Sequence, residues 1–553
     1  MRLKLFAAIA ACLLPAMACA QAPAEPPRSN PPRLLIVISV DQFSADLFDK
    51  YRPQFTAGLA RLATGTVFHN GYQSHAATET CPGHSTLLTG DRPATTGIVA
   101  NSWVNQNLSR SDKTIYCAED ESAPGTSSIT YKASQLHLRV PTLGEFMKRQ
   151  WPTSRNVAVS GKDRAAIMMG GHNPDARWYW DGKKFATDLG ALPPPAVDRA
   201  NAAVVAAIAT PPPPLVPDPY CATKATPYTL PGGMVVGNGV FARAAGDVNA
   251  FRASPQFDGA VLALAGALVQ DMRLGSGQAP DLLSISLSAT DYIGHGLGPG
   301  GQEMCLQLLS LDRSLGDFFR FMDSTGVDYA VILSADHGGL DIPERLQAKG
   351  VKDAVRVDKN LTATNVGKTI AAKLGVQGPV LLGDVSGDVY IDEALKGGER
   401  ARALSEALAI YRAHPQVQAA FSRQQIEATA MPAGDPVKWS LIERARASYD
   451  RERSGDIVVM LKPHVMPIAE PHAGFVATHG SPWDYDRRVP ILFWRAGEPS
   501  SQPEAHMETA DIMPTAAAIL GLSTDFGRID GHCRPEVAQC PVSQAVGTER
   551  GRR

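Results

Sequence analysis

The sequence predicts a doubly wound α/β fold: a mostly parallel central sheet flanked by helices, with inserted cap segments. The run LLIVISV at residues 34–40 is apolar throughout rather than alternating, as in a strand buried on both faces. Comparable runs recur at residues 156–159, 282–287, 329–333 and 490–494. Helical stretches lie between them, at residues 55–63, 255–272, 304–322 and 509–520, and strands alternating with helices pack as a parallel sheet between helix layers. Composition agrees: 553 residues, 44% apolar and 20% charged, exclude a disordered, collagen-like or coiled-coil chain.

From the N-terminus, residues 1–20 read as a secretory signal peptide, with Arg2 and Lys4 before an apolar run at 5–14 and Ala18, Cys19 and Ala20 before Gln21. Residues 21–32 (QAPAEPPRSNPP) are a proline-rich linker. Residues 33–545 are expected to form a single α/β domain with insertions at about 102–155, 170–255 and 345–470. No other stretch reaches the roughly 18 apolar residues of a membrane span, so an exported protein, periplasmic or extracellular, is expected. The 53 Lys plus Arg against 55 Asp plus Glu leave no basic excess for nucleic acid or an anionic membrane.

Beyond Cys12 and Cys19 in the signal, the cysteines are Cys81, Cys117, Cys221, Cys305, Cys533 and Cys540. Their number is even, export means oxidation, and no C-x-x-C spacing points to a thiolate metal knuckle. Cys533 and Cys540 are the natural local pair; the other pairings stay open.

In an open α/β sheet, ligands bind beyond the carboxyl ends of the strands. Asp41 follows LLIVISV, Asp291 follows LLSISLSAT with His295 four residues on, and Asp336 with His337 follows YAVILSA. Singly, an acid after a strand is most often a helix cap. Three strand ends each carrying an acid, two with an imidazole, are a large coincidence for caps, and carboxylate plus imidazole suits zinc. His479, before Gly480 and the run at 490–494, is a candidate third imidazole, with His464 and His472 as competitors. The segment HAATETCPGHSTLLTG offers Thr78 and Thr80 at a helix start, where the positive end of the dipole stabilises an alkoxide. Cys81 is the alternative nucleophile, although oxidation favours a disulfide there. Lys162 and Arg164, after the strand at 156–159, are a solvated basic turn if taken alone and an anion clamp in this setting.

Together, VDQ at Asp41, TETCPGH at Thr80, NSW at Asn101, GKDR at Lys162 to Arg164, TDYIGH at Asp291, ADHGG at Asp336 and THG at His479 resemble the alkaline phosphatase superfamily. Within it the motifs are most similar to the threonine-nucleophile, phosphate-irrepressible monoesterases. The resemblance spans nearly the whole mature chain. It implies two Zn2+ ions, one held by Asp291, His295 and His479, the other by Asp41, Asp336 and His337 with Thr80 bridging to it. It also implies a phosphothreonine intermediate at Thr80, with Asn101, Lys162 and Arg164 holding the phosphoryl oxygens. A phosphate monoester hydrolase acting as a monomer on small-molecule substrates is expected, with a phosphodiesterase or nucleotide pyrophosphatase on the same site as the alternative. A sulfatase is disfavoured, because Cys81 is followed by Pro82 and Gly83 rather than by the x-Pro-x-Arg that a formylglycine nucleophile requires.

Overall fold

The computed structural model describes residues 30–541. The expected signal peptide, linker residues 21–29 and domain residues 542–545 lie outside them.

The central sheet has nine strands: β1 (Leu34–Val40), β2 (Thr66–Tyr72), β3 (Asn156–Ser160), β4 (Ala176–Trp180), β5 (Phe185–Ala186), β6 (Asp281–Leu287), β7 (Tyr329–Ser334), β8 (Arg488–Arg495) and β9 (Met507–Glu508). Their order is β9-β2-β8-β7-β1-β6-β3-β4-β5. The run from β7 through β1, β6 and β3 to β4 is parallel throughout. The run at 490–494 reads like the parallel strands, yet β8 lies antiparallel to both β7 and β2. A continuous apolar run reports burial on two faces and is silent on direction, which the connection decides.

Helices α1 (Thr80–Thr89), α2 (Asp163–Gly170), α3 (Pro255–Asp271), α4 (Ala289–Leu297), α5 (Gln302–Ser324) and α6 (Ile512–Ile519) pack around this sheet. Along β1, Leu34, Ile36, Ile38 and Val40 join a core with Val261 and Leu264 of α3 and Leu308 and Leu315 of α5. Leu35 and Val37 face the other way, into a core with Leu87, Met147 and Met513. Both faces of β1 are thus covered, and each such side chain contributes about 1.5–3 kcal/mol by leaving water. The helical stretch at 55–63 is shorter than expected, a 3-10 turn Arg52–Gln54 followed by a helix Gly58–Leu62. There the Asp312 carboxylate of α5 accepts the backbone N–H groups of Thr56, Ala57, Leu59 and Ala60, fixing where the helix starts.

Within residues 345–470, strands Leu381–Gly383, Gly387–Ile391, Ile457–Leu461 and Val417–Ser422 form a separate four-stranded antiparallel sheet with its own core around Val389, Tyr411 and Ile457. Cys533 pairs with Cys540 as expected, and Cys81–Cys117 and Cys221–Cys305 are also bonded. No helix among the described residues is long and apolar enough to cross a membrane.

Register positions the site. Val40 is level with Leu287, Ser39 with Ser334, and Ser286 with Ser160, so β1, β6, β7 and β3 end along one edge of the sheet.

Candidate active site

That edge gathers the acids. Asp41 follows β1, Asp336 and His337 follow β7, and Asp291 sits in the first turn of α4 with His295 four residues on along the same face. Asp291, His295 and His479 bring one ligand atom each within 4.8 Å of one another. Nε2 of His295 lies 3.3 Å, and Nε2 of His479 3.6 Å, from Asp291 Oδ1. His472 is exposed and His464 faces Asp353, so neither competitor enters this group.

A second group joins Asp41 and Asp336 with two imidazoles. His337 Nε2 stands 3.2 Å from Asp336 Oδ2, and both atoms are buried without a hydrogen-bond partner. His84, which sequence reasoning did not single out, lies between the carboxylates, Nε2 3.4 Å from Asp41 and Nδ1 3.3 Å from Asp336. Burial opposes its charge, yet Asp336 and Asp41 hold its pKa up at about 9. Both its nitrogens are occupied, Nδ1 by the Thr80 carbonyl at 2.9 Å and Nε2 by Ser286 Oγ at 3.1 Å.

The donors fit a metal such as zinc. His295, His337 and His479 each direct Nδ1 at a backbone carbonyl, those of Ala477, Gly338 and Thr78, at 2.8 Å. A carbonyl can only accept, so Nδ1 carries the proton and Nε2 keeps its lone pair for a metal. Burial would raise the Asp336 carboxyl, but His337 and His84 hold it well below the usual carboxylate range. Asp291 is held low in the same way, against burial, by His295 and Lys162. The rings of His337 and His479 stack at 3.5 Å between centroids, placing the two groups side by side.

Gln42 braces both groups. It takes a left-handed backbone conformation, φ 59°, rare for a residue with a side chain. In return its N–H donates to Asp336 Oδ1 at 3.1 Å and its amide to Asp291 Oδ1 at 3.2 Å. Local strain at such a site holds only where the surroundings over-determine it.

Thr80 is the first residue of α1 and fully buried, at the positive end of the helix dipole. Its Oγ1 lies 3.4 Å from Arg164 Nη2. Cys81, at the alternative nucleophile position, is consumed by its bond to Cys117, and Thr78 Oγ1 donates to the Ser481 carbonyl at 2.8 Å. Gly83 lets α1 approach the end of β7: a Cβ there would sit 2.1 Å from the Asp336 carbonyl oxygen. Gly83→Ala is therefore expected to push Thr80 away from Asp336 and cut turnover about a hundred-fold, the scale of a 1 Å misplacement. Steady-state kinetics beside an unchanged circular dichroism spectrum checks this.

Asn101 bridges to the start of α1, its Oδ1 accepting the Cys81 N–H at 2.8 Å while its own N–H donates to Glu79 Oε2 at 2.7 Å. Lys162 Nζ spans the two groups, 2.5 Å from Asp291 and 2.7 Å from Asp41. Burial would lower its pKa, but these carboxylates raise it, so the ammonium stays charged. Arg164 is oriented from behind by Tyr116, whose hydroxyl lies 3.4 Å from Nη1 and donates to Asp163 at 2.8 Å. Tyr131 donates to the other Asp163 oxygen at 2.7 Å. His84, Glu79 and Gln42 lie inside the TETCPGH and VDQ motifs and were within reach of sequence reading. Tyr116 was not, since only the Cys81–Cys117 bond reveals its place.

Residues 35–482 match the type I phosphodiesterase / nucleotide pyrophosphatase family. The chain is 50% identical to alkaline phosphatase PhoK of Sphingomonas sp over 515 residues, 92% of each chain. The chain belongs to the alkaline phosphatase family. It is 43% identical to alkaline phosphatase PhoD of Zymomonas mobilis, across 92% of this chain and 90% of that one. The crystal structure of wild-type alkaline phosphatase PafA superposes on this alkaline phosphatase fold with a TM-score of 0.80 at 25% identity, covering 93% of this chain and all of that one. The chain is accordingly a hydrolase of the phosphatase class, with a large mixed sheet flanked by helices.

Proposed function

We propose that the chain hydrolyses small-molecule phosphate monoesters through a phosphothreonine at Thr80. Asp291, His295 and His479 hold one zinc ion, and Asp41, Asp336 and His337 with Thr80 hold the other. Zinc bound there supplies the chemistry the side chains lack, lowering the pKa of the attacking hydroxyl and stabilising charge on the departing oxygen. Thr80 Oγ attacks phosphorus in line, the P–O bond to the alcohol breaks, and water later cleaves the phosphothreonine to release inorganic phosphate. We further read the chain as one exported catalytic domain with inserted segments; the three disulfides support an oxidising compartment.

The observation that carries the monoester reading is the pair of cations at the site, Arg164 reaching Thr80 Oγ1 and Lys162 spanning the two ligand groups. A monoester dianion presents three non-bridging oxygens. A diester presents two and an organic group that gains nothing from a buried cation. Asn101, whose Oδ1 accepts from the Cys81 N–H, keeps an amide NH2 that can donate to a further phosphoryl oxygen.

Each charge-assisted contact is worth about 1.5–3 kcal/mol. Replacing Lys162 and Arg164 together by Ala is therefore expected to narrow the ratio of monoester to diester kcat/KM by at least about a hundred-fold, with bound metal retained. Equal losses on both substrates would remove the clamp from the account. A wild-type preference for diesters would establish the phosphodiesterase or pyrophosphatase reading that the family's description also contains.

A further inference from the structure

A cleft of about 690 Å³ opens beside His295. Tyr292, the residue after Asp291, and Phe475 both line it. The Phe475 ring stacks on His295 at 5.3 Å and 30° and is itself 37% exposed, an aromatic face open beside a candidate metal ligand. Val240 and Phe241 add apolar surface, and Val240 is likewise exposed. Arg252 supplies a guanidinium to the cleft, whose rim also carries the exposed His472. Its guanidinium lies 4.5 Å from the Tyr292 ring centroid, and its Nε is buried without a hydrogen-bond partner. Arg243 also lines the cleft but is engaged by the carbonyls of Ala207 and Ile208. Of the acids there, Asp247 caps the N–H of Ala250, and burial pushes the Glu303 carboxyl toward its neutral form.

An in-line displacement expels the alcohol on the side opposite the attacking oxygen. Thr80 lies against the Asp336 side of the site, where α1 meets β7 through Gly83. The cleft adjoins the Asp291, His295 and His479 side, and so receives the departing alcohol. We propose that this cleft is a leaving-group subsite, with Phe475 and Tyr292 taking an aromatic ring and Arg252 a second negative charge. The favoured substrates are then phosphate monoesters of anionic aromatic alcohols. This assignment rests on the monoesterase reading above.

The test uses ethyl phosphate, phenyl phosphate and 4-carboxyphenyl phosphate on the metal-loaded enzyme. Arg252→Met is expected to lower kcat/KM for 4-carboxyphenyl phosphate at least about ten-fold relative to phenyl phosphate, with Arg252→Lys retaining most of the preference. Phe475→Ala is expected to lower both aryl esters about ten-fold or more relative to ethyl phosphate. Calorimetric binding of 4-carboxyphenyl phosphate to Thr80→Ala protein, with and without Arg252→Met, reads the same preference without turnover and is expected to weaken about ten-fold. Equal effects on the three esters together with unchanged binding would overturn the subsite. Failure of the wild type to hydrolyse any of the three would instead overturn the monoesterase reading, while the binding comparison would still decide the cleft.

Discussion

Thr80→Ala is expected to lower kcat for a phosphate monoester by roughly four orders of magnitude or more, the scale seen when a covalent nucleophile is deleted. Thr80→Ser, which keeps a hydroxyl at the same place, is expected to retain measurable turnover. The reason lies in position. Thr80 opens α1, its hydroxyl stands 3.4 Å from the Arg164 guanidinium, and Gly83 seats the helix against the end of β7. No other side chain on that turn can replace it, because Cys81 is disulfide-bonded and the hydroxyl of Thr78 is turned to Ser481. Single-turnover kinetics on both variants, with metal content measured on the same preparations, checks the expectation. Near-normal turnover by Thr80→Ala would place the nucleophile elsewhere.

His479→Ala is expected to remove one bound metal per chain and lower kcat/KM by roughly three orders of magnitude, because a catalytic zinc held by three protein ligands does not keep its geometry on two. His479 comes from a segment more than a hundred residues beyond Asp336, and the Thr78 carbonyl, two residues before Thr80, fixes its ring. The loss is thus expected to leave the fold intact and to separate from any effect of His472→Ala, whose imidazole is exposed. Elemental analysis with circular dichroism on both variants distinguishes them. Full metal retention in His479→Ala would remove it from the ligand set.

Much of this arrangement is legible in the sequence, for a physical reason. Buried parallel strands need apolar side chains on both faces, so 34–40, 282–287 and 329–333 declare themselves, and ligands at the ends of such strands are fixed in sequence to the run before them. Asp41, Asp291 and Asp336 could be found in this way. The direction of β8 could not, because burial is the same whichever way a strand runs. Spacing alone does not separate His479 from His464 and His472; the THG motif does so by resemblance, and the fold brings His479 beside Thr78 and Asp291. His84 stands inside the TETCPGH motif and so within reach of sequence reading, but its role does not show there: only the fold brings its two nitrogens to the Thr80 carbonyl and Ser286 between two carboxylates. The place of Lys162 also differs from the simplest reading of a Lys-x-Arg clamp. Two buried carboxylates draw its ammonium between them, and Arg164 lies 3.4 Å from the Thr80 hydroxyl.

The most direct test of the central claim is acid-quench trapping with a phosphate monoester carrying labelled phosphorus, followed by peptide mapping. Low pH slows hydrolysis of the phosphothreonine, so label is expected on the peptide beginning at the start of α1, on Thr80, and to disappear in Thr80→Ala. Label on Thr78, or no covalent label under conditions where the monoester is turned over, would contradict the account.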